Sequence, residues 1–439
     1  MISQYPNAKY FRIWFAESNT STAKEATAFE VFPNGKIADI DVKINGLEKA
    51  TQQPSSVFYL NGGGNLQGLI AVDKSNSYAN ITSQIAINTN GITIPVGSGK
   101  WTWLNKNIRC TPRVYMIDFV PNGCTLLTLG TMAFGGGVVG VFSNIAFYVE
   151  ISNGRISCTN GQSENFSFDT NTNYRILLKQ EDKHTELSVI NLKSGASSGS
   201  ITYDGITSGN DGLFYDTWAI NAETASPYIK QYQIYTPVKR PFLSLFGDSI
   251  TVGFNGTVAN GINHSKYSYI VGNATGKDFT VTGRGGGQFR DMFGDYLALS
   301  GINDVWFDGM LMSELPALRP NYAMLTLGTN GGGSYSDYQA FVEYALSLGI
   351  TPILNTLPIR ADGGTDQNVD YIAAANATIM QIWKDYNIHG ARFDLATSLN
   401  NDGETIDTNL FSSDRIHPND AGHAAMAARV MLDCPELFD

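Results

Sequence analysis

The pattern that most constrains the fold is a change of period at 237–241, Pro-Val-Lys-Arg-Pro. Before it, short apolar or alternating runs recur between clusters of Gly, Asn, Asp and Ser. The runs lie at 84–94, 113–119, 138–151, 174–179, 186–192 and 228–235. Strands at such spacing, bounded by turn residues, argue for an antiparallel sandwich. After the prolines, strand-like and helix-like patterns alternate, which argues for a parallel sheet covered on both faces. The expected fold is multidomain: a small β module or attachment arm over 1–60, an all-β sandwich over 61–237, and an α/β domain over 241–439. A chain of 439 residues is too long for one ordinary domain.

Within the first stretch, 10–15 is aromatic-rich and 38–44 alternates cleanly, so both read as strands. The runs 174–179 and 186–192, joined by Gln-Glu-Asp-Lys-His-Thr, read as a hairpin. In the α/β region, 279–282, 322–327, 350–355 and 391–395 read as strands. The period of 3.6 predicts helices over 336–348, with Ser336 as its cap, over 368–386 and over 420–432. A net charge of −11 argues against a basic face for nucleic acid or an anionic membrane. No stretch of about 18 apolar residues is present, so no membrane span is expected. Cys110, Cys124, Cys158 and Cys434 lack metal-ligand spacing. Cys110 and Cys124 are placed to pair across two strands, or to remain buried thiols. Trp101, Trp103 and Trp218 are candidates for a sugar-stacking platform or for the core.

Four short blocks fall at strand exits or just before the last helix. The run Leu243-Ser-Leu-Phe-Gly-Asp-Ser249 reads as a buried strand stopping at a turn, with the pattern loosening toward a helix beyond it. A serine there stands where open α/β sheets place reacting groups. The second block, Val281-Thr-Gly-Arg-Gly-Gly-Gly-Gln288, fails the dinucleotide pattern, but its glycines let backbone N–H groups face a substrate oxygen. The third, Leu327-Gly-Thr-Asn-Gly331, offers the Asn330 amide to a developing oxyanion. In the fourth, Ser413-Asp-Arg-Ile-His-Pro418, Asp414 and His417 are three apart, so a tight turn lets the carboxylate orient the imidazole.

Together, in this order, the four blocks resemble the SGNH hydrolases, the GDSL family of esterases, over roughly 241–435. The resemblance implies a flavodoxin-like α/β fold and a catalytic set of Ser249, Asp414 and His417. It implies an oxyanion hole built from the Ser249 and Gly286 N–H groups and the Asn330 side chain, with Gly285 and Gly287 as alternative donors. Where the family usually has Asp after the asparagine, this chain has Gly331. The Gly-x-Ser-x-Gly elbow is absent, which disfavours the larger α/β-hydrolase fold. No metal or cofactor is implied. His423 is expected on the final helix, facing solvent or packing. By strand rhythm, 61–237 is similar to jelly-roll domains of the concanavalin and laminin-G type, which often bind glycans.

The function expected from this combination is a serine carbohydrate esterase removing O-acetyl groups from a polysaccharide. It would be extracellular, at a cell surface or on a virion, with an acetylated glycan as its partner. A lipase or thioesterase is the rival within the family, because 306–318 can line an apolar cleft. A non-catalytic surface or phage tail protein that binds glycans is the rival outside it.

Overall fold

In Tyr174–Glu181 and His184–Asn191 every second residue is buried through most of each strand. That is the period of a sheet with one face on a core. The computed structural model describes residues 13–15, 24–26, 55–59, 69–76, 79–104, 110–133, 145–204, 215–259, 261–283, 285–289, 310–361 and 365–439. The chain divides into two units, 1–52 and 53–439. In the first, Ile13–Phe15 pairs antiparallel with Lys24–Ala26; the strand expected over 38–44 lies outside the described residues.

The second unit begins with two antiparallel sheets. One runs in the order Ser163–Asn165, Arg155–Cys158, Ile145–Glu150, Leu126–Ala133, Tyr215–Ala222, Lys100–Leu104, Leu69–Asp73 and Ala79–Asn80. The other runs Ile201–Tyr203, His184–Asn191, Tyr174–Glu181, Arg113–Val120, Tyr228–Tyr235, Gly91–Thr93 and Ala86–Asn88. Ser55–Tyr59, from the segment expected as a separate arm, also pairs with Tyr228–Tyr235. Leu129, Phe147 and Trp218 of the first sheet share one core with Ile117, Ile176, Leu187 and Tyr232 of the second. The Tyr232 hydroxyl donates to the Trp218 carbonyl across that core at 2.6 Å.

All three candidate tryptophans are buried, at 4% or less exposure, so they fill the protein and offer no sugar-stacking platform. The four cysteines are free and buried, which settles the Cys110–Cys124 alternative in favour of thiols. The expected hairpin closes through a two-residue turn at Asp182-Lys183, Asp182 having φ +55°.

Among the described residues, the α/β part carries four parallel strands in the order Phe279–Gly283, Leu243–Gly247, Tyr322–Thr326, Thr351–Leu354. Leu243 and Leu245 face a core shared with Tyr267, Val271, Met426 and Val430 of helices Tyr267–Ala274 and Asp420–Asp433. Phe246 and Leu325 face the other side, packing with Phe341 of Tyr335–Ser347 and Ile379 of Asp370–Tyr386. Both faces are covered, so the strands read as near-continuous apolar runs. Strand order reverses at Leu243–Gly247, and ligands bind outside the carboxyl ends of strands at such a switch point.

Three local expectations need correction. The cap of Tyr335–Ser347 is Ser334 rather than Ser336, because Ser334 and Asp337 form a reciprocal capping box. No helix follows Ser249 directly; 250–256 is a succession of turns, and the helix waits until Tyr267. Residues 391–395 are not a strand. The chain bonds the sheet edge only briefly, through Leu354 N–H to the His389 carbonyl and Thr356 N–H to the Ala391 carbonyl. It then turns into a short helix, Phe393–Ala396, where Asp394 is held by Thr356 and Arg392.

His423 lies inside, fully buried and stacked on Tyr267 at 6.2 Å between ring centres. Burial pushes its pKa down to about 3. Between pH 6.5 and that value the unfolded chain binds a proton that the folded chain refuses, so stability falls as pH drops through 6.5. The expected loss is roughly 3 kcal/mol between pH 6.5 and 4. Thermal melts of His423→Gln against the parent across that range should show a flatter dependence in the variant.

Candidate active site

The parallel register brings the expected blocks together. Gly247 lies opposite both Gly283 and Thr326, so the three strands end at one level and hand their loops to one edge. Gly247 is required there, since a Cβ would stand 2.0 Å from Thr251 Oγ1 and 2.4 Å from the Thr326 carbonyl. Asp248 turns the chain, its Oδ1 accepting from the Ile250 N–H at 3.0 Å. Burial pushes the Asp248 carboxyl up to about 7. Ser249 follows, 3% exposed.

The Ser413–Pro418 turn comes from the opposite end of the chain. Asp414 Oδ1 accepts the N–H groups of Ile416 and His417 at 2.9 and 3.0 Å, a local turn that swings residue 417 back toward 414. His417 Nδ1 then lies 2.7 Å from Asp414 Oδ2, and His417 Nε2 lies 2.9 Å from Ser249 Oγ. Partial burial pushes the Asp414 carboxyl up. The backbone N–H and imidazole of His417, with the Ile416 N–H, outweigh it and hold the group below the usual carboxylate range. A serine hydroxyl, an imidazole and an ionised carboxylate in series can move a proton from Oγ to Nε2 while the carboxylate steadies the imidazolium.

Two residues outside the expected set complete this side. Asn255 donates its amide to Asp414 Oδ2 at 3.1 Å, and the Phe254 ring meets the His417 ring edge-on at 4.2 Å. Neither carries a motif; only their place a few residues after Ser249 hinted at proximity.

The glycine block and the asparagine block meet each other. Asn330 Nδ2 donates to the Gly287 carbonyl at 3.2 Å, and Gln288 Nε2 donates to the Asn330 carbonyl at 2.9 Å. Thr329 is held in turn, its carbonyl accepting from Arg360 and the Tyr371 hydroxyl at 2.9 Å each. One amide N–H of Asn330 is thereby used on the loop, and an asparagine has a second to offer. Gly286, at φ +66°, stands exposed at the tip of its turn between buried Gly285 and Gly287. If Asn330 is an oxyanion donor, Asn330→Ala should lower kcat about 10²–10³-fold with KM little changed. Steady-state kinetics on a soluble ester would read this out.

His389, Cys434 and Glu436 bring ligand atoms within 4.8 Å of one another. Burial and the acidic neighbours Glu436 and Asp433 push the Cys434 thiol well up. The cluster shares no residue with the Ser249–His417–Asp414 series. No helix among the described residues is long and apolar enough to cross a membrane.

Residues 245–425 match the model of the GDSL-like lipase/acylhydrolase family. Among solved structures, a GDSL-like lipase from Bacteroides thetaiotaomicron is 15% identical, with 43% of this chain and 85% of that one covered at a TM-score of 0.30. An acetylxylan esterase from Geobacillus stearothermophilus is 18% identical, with 43% and 92% covered at a TM-score of 0.31. No curated protein sequence matches the chain.

Proposed function

We propose that the chain, whose residues 245–425 match the GDSL-like lipase/acylhydrolase family, is a serine esterase that removes short acyl groups, acetyl foremost, from a polysaccharide. The observation that carries this is the unbroken series Ser249 Oγ, His417 Nε2 and Nδ1, Asp414 Oδ2, at 2.9 and 2.7 Å. In the proposed reaction Ser249 Oγ attacks the ester carbonyl while His417 Nε2 takes its proton. The same nitrogen then protonates the sugar oxygen as its bond to the acyl carbon breaks, freeing the sugar hydroxyl, and water releases the acyl group by the reverse route. Asp414 holds Nδ1 protonated throughout. The Ser249 and Gly286 N–H groups and the Asn330 amide are the proposed hosts of the oxyanion.

A short acyl group on a hydrophilic carrier suits an open, polar rim. The Asp414 side chain is 34% exposed, and Gly331, Ser334 and Tyr335 beyond the asparagine are exposed as well. The helix Met310–Leu318 lies within the stretch that could have lined an acyl cleft. Its Leu315 is committed to the α/β core and its Leu318 to the sandwich core. That leaves less apolar surface for a long chain.

The test compares p-nitrophenyl acetate with the octanoate, using Ser249→Ala as blank, and then follows acetate release from acetylated polysaccharides. Acetate preference and Ser249-dependent release support the reading. A preference for octanoate moves the chain to the lipases of its family. An absence of Ser249-dependent turnover favours the surface or tail protein that binds glycans without cleaving them.

A further inference from the structure

Among the contacts between the sandwich and the α/β part, the one at the tip of the Tyr174–Asn191 hairpin leads to the acid of the proposed relay. At that tip Asp182 Oδ2 accepts the Asn263 N–H at 2.8 Å and pairs with Lys266 Nζ at 3.0 Å. The Lys183 N–H donates to the Gly261 carbonyl at 2.9 Å. The tip is itself fastened from behind. The Asp182 N–H donates to Thr111 Oγ1 at 2.9 Å, and Thr111 bridges backbone to backbone with Val281 of the parallel sheet. Lys266 is buried with its side chain 1% exposed, its ammonium 4.0 Å from the centre of the Tyr269 ring. A charge in such a place needs its partner, so the pair fixes where the tip sits.

From there the contacts run inward without a gap. Asn263 Nδ2 donates to the Gly253 carbonyl at 2.6 Å, and Asn263 Oδ1 accepts the Lys266 N–H at 3.0 Å. Gly253 has φ +76°, and a Cβ on it would stand 2.5 Å from Lys266 Cβ and 2.6 Å from Asn263 Nδ2. Its backbone therefore lies directly on the two residues that Asp182 holds. The next residue, Phe254, packs on His417; the one after, Asn255, donates to the Asp414 oxygen that His417 Nδ1 also uses. The loop has a second anchor in Asp420, which accepts from the Thr257 N–H and the Ser265 hydroxyl.

We infer that the β-sandwich is part of the catalytic apparatus: Asp182 is a positioning residue that, through Asn263 and the backbone at Gly253, sets Asn255 and Phe254 against Asp414 and His417. The inference rests on the reading of Ser249, His417 and Asp414 as a hydrolytic relay. It adds that the orientation of the relay depends on a carboxylate outside the α/β part.

The test is the rate at which a phosphonofluoridate labels Ser249 in the full chain, a readout independent of which ester is the substrate. Oγ forms a bond to phosphorus, the P–F bond breaks, fluoride leaves, and His417 takes the proton. Asp182→Ala, Asp182→Leu combined with Lys266→Met, and Asn255→Ala should each label roughly 10-fold more slowly or worse, as a small misplacement predicts. On p-nitrophenyl acetate, kcat should fall with KM unchanged. The double replacement removes the buried charge together with its partner, so it restores stability without restoring the rate. Lys179→Ala, an exposed ion-pair loss on the same hairpin, should label at the parent rate. A folded double variant labelling at the parent rate overturns the inference. Asn255 is exposed, so its variant keeps the fold, and parent-rate labelling of Asn255→Ala overturns it equally. A parent chain that is not labelled at all overturns the hydrolase reading itself.

Discussion

Ser249→Ala is expected to lower kcat on a short-chain ester about 10⁶-fold, leaving only what the oxyanion donors and binding provide. The hydroxyl lies 2.9 Å from His417 Nε2 at the end of a buried strand, and removing it leaves the imidazole with no nucleophile to deprotonate. Circular dichroism should show an unchanged fold, because a methyl group fits where a nearly buried hydroxymethyl stood. The decisive measurement is single-turnover release of p-nitrophenol. If the variant kept even a tenth of the parent rate, the nucleophile would have to be elsewhere.

Asp414→Asn should cost about 10⁴-fold in kcat, and the geometry says why the amide cannot rescue itself by flipping. The Oδ1 position accepts two backbone N–H groups, from Ile416 and His417, so the asparagine oxygen must stay there. Its NH₂ is then forced into the Oδ2 position, facing His417 Nδ1 and the amide of Asn255. An N–H facing Nδ1 makes that nitrogen the acceptor and places the ring proton on Nε2. In that tautomer Nε2 cannot take the serine proton. Nitrogen NMR of the imidazole should show the proton moved from Nδ1 in the parent to Nε2 in the variant. A variant with the parent tautomer and full activity would refute the assigned role of Asp414.

What could be read from the sequence alone was whatever is encoded locally. The place of Ser249 was legible because a buried apolar run ending in Gly-Asp-Ser marks a strand exit. The closeness of Asp414 and His417 was legible because a three-residue offset can be closed by one turn. The covered parallel sheet followed from 3.6-period helices between apolar runs. The rest depends on contacts distant in sequence. Asn255 sits in a polar turn with no pattern of its own, and its meaning comes from Asp414, 159 positions away. Asp182 looks like any hairpin residue until Asn263 and Lys266 are laid against it. His423 lies on the final helix as expected, yet nothing in an Ala-rich helix indicates that its ring stacks inside on Tyr267. The error at 391–395 has the same origin: Asp394 finds Thr356 and Arg392, and a side-chain network ends what the apolar pattern began.

The sheet order has a consequence for the chain as it leaves the ribosome. Tyr228–Tyr235, the last sandwich strand to be made, belongs in the interior of its sheet, between Arg113–Val120 on one side and Gly91–Thr93 with Ser55–Tyr59 on the other. Until it emerges, those two flanks are nascent edges without a neighbour, waiting on a strand more than a hundred residues downstream. Non-local pairing of this kind is slow and leaves sticky edges in the meantime. The strand that closes the sheet is followed within a few residues by Leu243–Gly247, the first strand of the α/β part. Translation thus completes the sandwich strands just before the serine-bearing half begins, and the hairpin tip that Asn263 and Lys266 contact can already be in place when that half arrives.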